Sequence, residues 1–308
     1  MVDADVTRLA WGAQALWHSL EPVLPGIAVE VLPSCESTNS ALVERTRVGA
    51  GSRPGVGARR GDTPSVPQAE SPALGRRAMD TQPCLLVAEQ QTRGRGRMGR
   101  TWQSTVGASL TFSLALPLAP ADWSGLSLAV GVALAEALDP ADSGAAPQLL
   151  LKWPNDLWLR DPAAPLGGRK LGGILIETVP VGGRRMGVIG VGLNVLPQEF
   201  DELSSGYGCV RELDPLATAP GTLARVAPAL VRALLQFEQA GFAAFASRFE
   251  RRDALAGRRV STNLHEAPDG VAEGVDEHGA LRLVCPDGRR VAISSGEVSI
   301  RPTPGPVP

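Results

Sequence analysis

Residues 89–102, EQQTRGRGRMGRTW, decide how the chain is read. Gly94, Gly96 and Gly99 spell G-x-G-x-x-G, the turn that in dinucleotide-binding folds links a strand to a helix. The preceding residues Cys84-Leu85-Leu86-Val87-Ala88 form a short buried strand. Beyond the loop, Leu110, Phe112, Leu114 and Leu116 alternate with Thr111, Ser113 and Ala115, the pattern of a half-buried strand. Strand, loop, strand is the wrong order for a dinucleotide fold. No acid stands at the distance needed to hold a ribose, because Asp122 follows a proline-bounded turn. The glycine spelling is coincidental.

Arg93, Arg95, Arg97 and Arg100 also make the loop a candidate grip on a polyanion. Yet 30 Lys and Arg face 32 Asp and Glu, a formal charge of −2, so the basicity is local and the excess typical of a DNA-binding chain is missing. One Tyr, six Phe and six Trp offer few platforms for stacking bases. A solvated loop without function stays open as the plain reading. Its weakness is the glycines, which destabilise a loop unless backbone has to approach something closely.

At 308 residues the chain is long enough for about two domains. A helix is predicted over 6–20, a strand over 27–32 and a helix over 40–47. Residues 49–82 are poor in large apolar side chains and read as a flexible insertion. Ser124 is placed to cap a helix running to Leu138; 149–152 reads as a strand stopped by Pro154; 171–179 and 186–195 read as a hairpin. Leu223, Val226, Leu230 and Leu234 mark a helix whose start Pro228 delays or kinks, and Phe242, Phe245 and Phe249 mark another. From Leu255 the chain turns to short strands broken by Gly and Asp, a small β-barrel, and 304–308 reads as a disordered tail. Cys35, Cys84, Cys209 and Cys285 form no C-x-x-C pair and read as small buried hydrophobes. The N-terminus lacks the order of a signal peptide, and no apolar run is long enough to cross a bilayer, so the cytoplasm is expected.

Three further stretches put polar groups at strand ends: KWPNDL (152–157), RKLGGILIE (169–177) and GVGLNV (190–195). Each has an ordinary structural alternative: Asn155-Asp156 as a turn, Lys170 as a surface charge, Gly192 as a bulge. Their recurrence in one domain favours a shared site.

Together with Ser37-Thr38-Asn39, these motifs and the arginine loop resemble those of biotin protein ligases, in order and spacing, over residues 27–301. The resemblance implies an α+β fold. A mixed-sheet catalytic domain with flanking helices, like that of class II aminoacyl-tRNA synthetases, would span 1–253, and an SH3-like barrel 254–303. It implies that biotin and ATP yield biotinyl-5′-AMP, and that biotin then passes to a lysine of the biotin carboxyl carrier protein of acetyl-CoA carboxylase. By residue, it assigns Ser37, Thr38, Asn39, Gln91, Gly94, Arg95, Gly173, Leu175 and Gly190 to biotin, with Ser37 and Thr38 at the ureido group. Arg97, Arg100, Trp102, Asn155, Asp156 and Asn194 would serve ATP, with Mg2+ arriving on the nucleotide near Asp156. Lys170 would bridge the biotin carboxylate and the α-phosphate, with Arg95 and Arg97 also catalytic. Cations suit that step because two anions have to meet, and arginine's planar fork matches both. Thr111 stands where the family often has an aromatic residue. About 26 residues precede the catalytic fold, too few for a winged helix, so a ligase without a DNA partner is expected. Membrane partners are not implied, and a homodimer stays open. A lipoate ligase of related fold is the rival enzyme, and RGRMGR and KWPND favour biotin.

Overall fold

The computed structural model describes residues 9–51, 81–140, 145–181, 183–198, 205–294 and 300–302. The expected insertion falls mostly outside these residues, and the expected tail wholly so. The strands run in chain order as β1 (Ala28–Cys35), β2 (Cys84–Gln91), the short pair β3 (Gly94–Arg95) and β4 (Thr101–Trp102), β5 (Ser109–Pro117), β6 (Leu149–Lys152), β7 (Asp156–Arg160), β8 (Gly168–Val181) and β9 (Arg184–Asn194). Seven of them form a sheet in the order β1-β2-β5-β9-β8-β7-β6. Only β1 and β2 pair parallel within it.

The sheet is covered on both faces, and β5 shows why. Its apolar set Leu110, Phe112, Leu114 and Leu116 packs against α1 (Ala13–Leu20), α3 (Leu126–Leu138) and α4 (Ala219–Ala240). Its other face lies toward α2 (Thr38–Gly51), whose Leu42 and Val43 pack with Ala115, Leu86 and Val188. Thr111 and Ser113 are therefore buried rather than facing water as the alternation predicts. Thr111 satisfies its hydroxyl on the Ala88 carbonyl at 2.9 Å. Each large apolar side chain so buried stabilises the fold by about 1.5–3 kcal/mol.

Several predicted elements differ. The first helix begins at Ala13, because Gly12 is left-handed at φ 57 and the Leu9 N–H goes to the Glu89 carboxylate at 3.2 Å. The Trp11 indole binds the same carboxylate at 3.0 Å, so a partner 78 residues away overrides the local helical pattern. Ser124 does not cap α3; Gly125 takes that position without a side-chain cap. Helix α4 starts at Ala219 behind a Thr218 cap and runs straight through Pro228. Burial of Leu223, Val226, Leu230, Leu234 and Phe237 outweighs the ~3 kcal/mol of an internal proline. The phenylalanine helix shrinks to a turn at Phe242–Ala244 and α5 (Ala246–Glu250). Strand β7, which was not among the predicted elements, pairs on both sides. Of the four cysteines, Cys35 is only half-buried, and burial pushes its thiol up to about 11.

The C-terminal strands β10 (Arg259–Thr262), β11 (Asp269–Val275), β12 (Leu281–Val284), β13 (Arg290–Ile293) and β14 (Ile300–Pro302) form a five-stranded antiparallel sheet ordered β13-β12-β11-β10-β14. It docks onto the larger sheet at β6. The Leu151 N–H donates to the Arg252 carbonyl at 2.7 Å, and the Trp153 indole to the Gly279 carbonyl at 3.0 Å. Among the described residues no helix is long and apolar enough to cross a membrane.

Candidate active site

A cleft opens over β5, β9 and β8 beneath the arginine loop. One end is polar but carries little charge. Thr38 opens α2, and both its backbone N–H and its hydroxyl reach Gln91 Oε1, at 2.7 and 3.1 Å. The Thr38 and Ser113 hydroxyls lie 2.7 Å apart, and Ser113 Oγ donates to Asn39 Oδ1 at 2.6 Å. Asn39 Nδ2 then donates to the Leu175 carbonyl and to Glu177 Oε2, at 3.1 and 3.0 Å. Gly190 is required here, since a Cβ would collide with Asn39 Oδ1 and stand 2.8 Å from its Cγ.

The other end is cationic. Lys170 Nζ lies 2.8 Å from Asp156 Oδ1, and Lys152 Nζ lies 3.7 Å from Asp156 Oδ2. Lys152 is enclosed and sits 5.4 Å over the Trp158 ring. Burial lowers its pKa, opposed by the Asp156 charge. Burial likewise lowers that of Arg97, whose guanidinium approaches Asn155 Oδ1 at 3.4 Å. Asn155 in turn donates to the Ile174 carbonyl at 2.8 Å. Trp102 lies against the Gly192 backbone, where a Cβ would come within 2.5 Å of the indole, and its buried Nε1 has no hydrogen-bond partner. Gly192 is thus a floor for a ring, and its pairing with Thr111 and Gly173 continues without a bulge.

The cleft gathers Ser37, Thr38, Asn39, Gln91, Arg95, Arg97, Arg100 and Trp102 with Asn155, Asp156, Lys170, Gly173, Leu175 and Gly190. Two expected site residues lie outside its walls. Asn194 sits behind β8, donating to the Lys170 and Gly208 carbonyls at 3.2 and 3.0 Å, and so holds the strand that presents Lys170. Gly94 is needed for the β3–β4 pairing, since a Cβ there would run into the Trp102 carbonyl oxygen. Sequence reasoning left Ser113, Lys152, Glu177 and Ile300 unassigned. Lys152 and Glu177 stood in quoted motifs, while Ile300 reaches the cleft from the C-terminal sheet. Phe112, one residue beyond Thr111, borders the cleft, but its side chain is fully buried in the core on the opposite face of β5. Arg95 pairs with Glu177 at 3.2 Å and binds Ser40 Oγ at 3.1 Å.

Such a cleft can hold a neutral ring of donors and acceptors at one end and anions at the other.

The model of the biotin/lipoate A/B protein ligase family matches residues 78–194, and that of the biotin protein ligase C-terminal domain matches 256–301. The bifunctional ligase/repressor BirA of Escherichia coli (strain K12) is 37% identical over 222 residues, 70% of this chain and 65% of that protein. The chain thus spans about two thirds of the length of the BirA relatives of Escherichia coli and Salmonella typhimurium. The biotin--[acetyl-CoA-carboxylase] ligase of Mycobacterium tuberculosis is 34% identical over 230 residues, 71% of this chain and 79% of its own. In fold, the chain resembles the biotin protein ligase of Aquifex aeolicus solved in complex with biotin and ATP, with a TM-score of 0.63, 23% identity, and coverage of 89% of this chain and 99% of that one.

Proposed function

Because the chain belongs to the biotin protein ligase family, we propose that it activates biotin with ATP and transfers the biotinyl group to a lysine of the biotin carboxyl carrier protein of acetyl-CoA carboxylase. The observation that carries this reading is the polarity of the cleft: amide and hydroxyl groups around Gln91, Thr38 and Asn39 at one end, and Arg97, Arg100, Lys152 and Lys170 at the other.

In the first half-reaction a biotin carboxylate oxygen attacks the α-phosphorus, and the bond to pyrophosphate breaks with its electron pair leaving on pyrophosphate. Lys170 lies between the two approaching anions, oriented by Asp156 at 2.8 Å. Arg97 and Arg100 take charge developing on the phosphates, and Trp102 stacks on the adenine. Fixed cations in such a site lower the barrier by a few kcal/mol each, on the order of 2–4. In the second half-reaction the neutral amine of the carrier lysine attacks the acyl carbon, the carbon–oxygen bond to AMP breaks, and the amine loses a proton. Ser37, Thr38, Asn39 and Gln91 hold the ureido ring, Gly173 and Leu175 flank the bound acid, and Arg95 with the loop keeps water from the mixed anhydride.

Among the described residues, no group of three or more His, Cys, Asp or Glu could hold a metal. Asp156, the acid beside Lys152 and Lys170, with Asn155 next to it, suits an ion that arrives on nucleotide phosphates and takes one or two protein ligands. Asp156 and Asn155 would hold such a magnesium ion, and it would supply neutralisation of phosphate charge. The same proposal extends to a class II synthetase-like catalytic domain over 1–253 and an SH3-like domain over 254–303. It sets the reaction in the cytoplasm without DNA or membrane partners, and a homodimer is compatible with it.

Mass spectrometry of a carrier domain incubated with the chain, ATP, magnesium and biotin tests the reading. A biotinyl addition on one lysine is expected. Addition from lipoate in place of biotin, or none from either, refutes it.

A further inference from the structure

Glu177 touches both the polar end of the cleft and the arginine loop, yet the chemistry above does not use it. We infer that Glu177 is a positioning residue. Together with the Leu175 carbonyl it sets the direction of one hydrogen-bond chain, so that Thr38 meets the ureido ring as an acceptor, and it ties that chain to the loop. The inference rests on the biotin reading of the same cleft.

The argument begins at Asn39, which is buried and has one nitrogen and one oxygen to satisfy. Its Nδ2 faces groups that only accept: the Leu175 carbonyl at 3.1 Å and the Glu177 carboxylate at 3.0 Å. Its Oδ1 therefore faces Ser113 and takes the Ser113 proton at 2.6 Å. Ser113 has no second proton, so at the 2.7 Å contact it accepts from Thr38, whose one proton goes to this shorter contact rather than to Gln91 Oε1 at 3.1 Å. Thr38 is left with lone pairs toward the cleft. Gln91 Oε1 is occupied by the Thr38 backbone N–H at 2.7 Å, which leaves the Gln91 amide nitrogen as the donor. A cyclic urea carries two N–H donors and one carbonyl acceptor, and this wall presents their complement.

The same carboxylate receives Arg95, with Nη2 at 3.2 Å from Oε1 and Nη1 at 3.4 Å from Oε2. One anion thus serves the head-group wall and the second arginine of the loop. In Glu177→Gln one oxygen becomes an NH2 that meets only donors. The variant then gives up Arg95, or it gives up Asn39, whose Nδ2 is left with the Leu175 carbonyl alone.

The test measures three things on Glu177→Gln and the wild-type chain. They are biotin affinity without nucleotide, ATP affinity without biotin, and the rate of tryptic cleavage at the arginines of residues 93–100. Biotin affinity is expected to fall about tenfold, the loss of one hydrogen bond to a charged group, with ATP affinity unchanged and loop cleavage faster. In an Arg95→Ala background the substitution should no longer change loop cleavage. Unchanged biotin affinity overturns the inference, as does parallel loss of biotin and ATP affinity, the mark of a merely structural role. A wild-type chain that does not bind biotin sinks the proposed function itself.

Discussion

Gly190→Ala tests whether the polar end of the cleft is as tightly built as its geometry implies. The new methyl carbon would overlap Asn39 Oδ1, stand 2.8 Å from Cγ and 3.2 Å from Nδ2. Asn39 is 4% exposed and wedged between β5 and β8, so it has no free space to rotate into. Displacing it breaks the bonds to Leu175, Glu177 and Ser113. At about 1 kcal/mol for each, the loss is about 3 kcal/mol. The melting temperature should then fall by roughly 6–12 °C, and biotin binding should weaken at least tenfold. Thermal unfolding and calorimetric titration with biotin measure both. The decisive comparison is the double variant. With Asn39→Ala already present the methyl has room, and Gly190→Ala should cost less than about 0.5 kcal/mol more. If Gly190→Ala alone melts and binds as wild type, or if the two losses simply add, the steric argument is wrong.

Three further substitutions address other parts of the molecule. Lys170→Ala should slow adenylate formation by about 2–4 kcal/mol of barrier while biotin still binds, read by pyrophosphate release; near wild-type release removes the bridging role. Gly192→Ala puts a carbon 2.5 Å from the Trp102 indole and should raise the KM for ATP more than that for biotin; equal effects would detach Trp102 from the nucleotide. Asp253→Asn concerns stability. Burial raises the Asp253 carboxyl from 3.8 to about 6, with one oxygen unpartnered. Between these values the unfolded chain binds fewer protons than the folded one. The penalty therefore grows as pH rises from about 4 to 6 and stays constant above, reaching about 3 kcal/mol. The asparagine variant should be the more stable at pH 7 and lose that advantage at pH 4, as denaturant titrations at the two pH values would show.

The residues that line the cleft were largely legible in the chain, because Lys170, Asp156 and the loop arginines lie in short motifs at strand ends. What the chain concealed depends on partners distant in sequence. Ser113 reads as solvent-facing until α2 covers its side of β5. Glu89 shortens the first helix from 78 residues away. Asn194 looks like a ligand-binding amide in a glycine-rich strand, and only the path of Gly208 reveals that it braces backbone. The glycines of the loop were read as close approaches of backbone, and Gly94 is one, crowded by Trp102; Gly192 of β9, weighed as a bulge, is another.

The cleft's floor and roof differ in how they are held, and that difference sets which amides exchange with solvent deuterium first. Beneath the cleft, β5 and β9 exchange nine residue pairings, and β9 and β8 ten, each strand bonded on both sides. In the roof the strand pairing is only that of β3 with β4, two residues long. Amides of Val191 and Leu193 should outlast those of Arg95 and Thr101 by orders of magnitude, since they open only with the sheet. A ligand larger than the native one is therefore accommodated by the roof, while the floor holds its shape and rejects misfits at the ring-binding end.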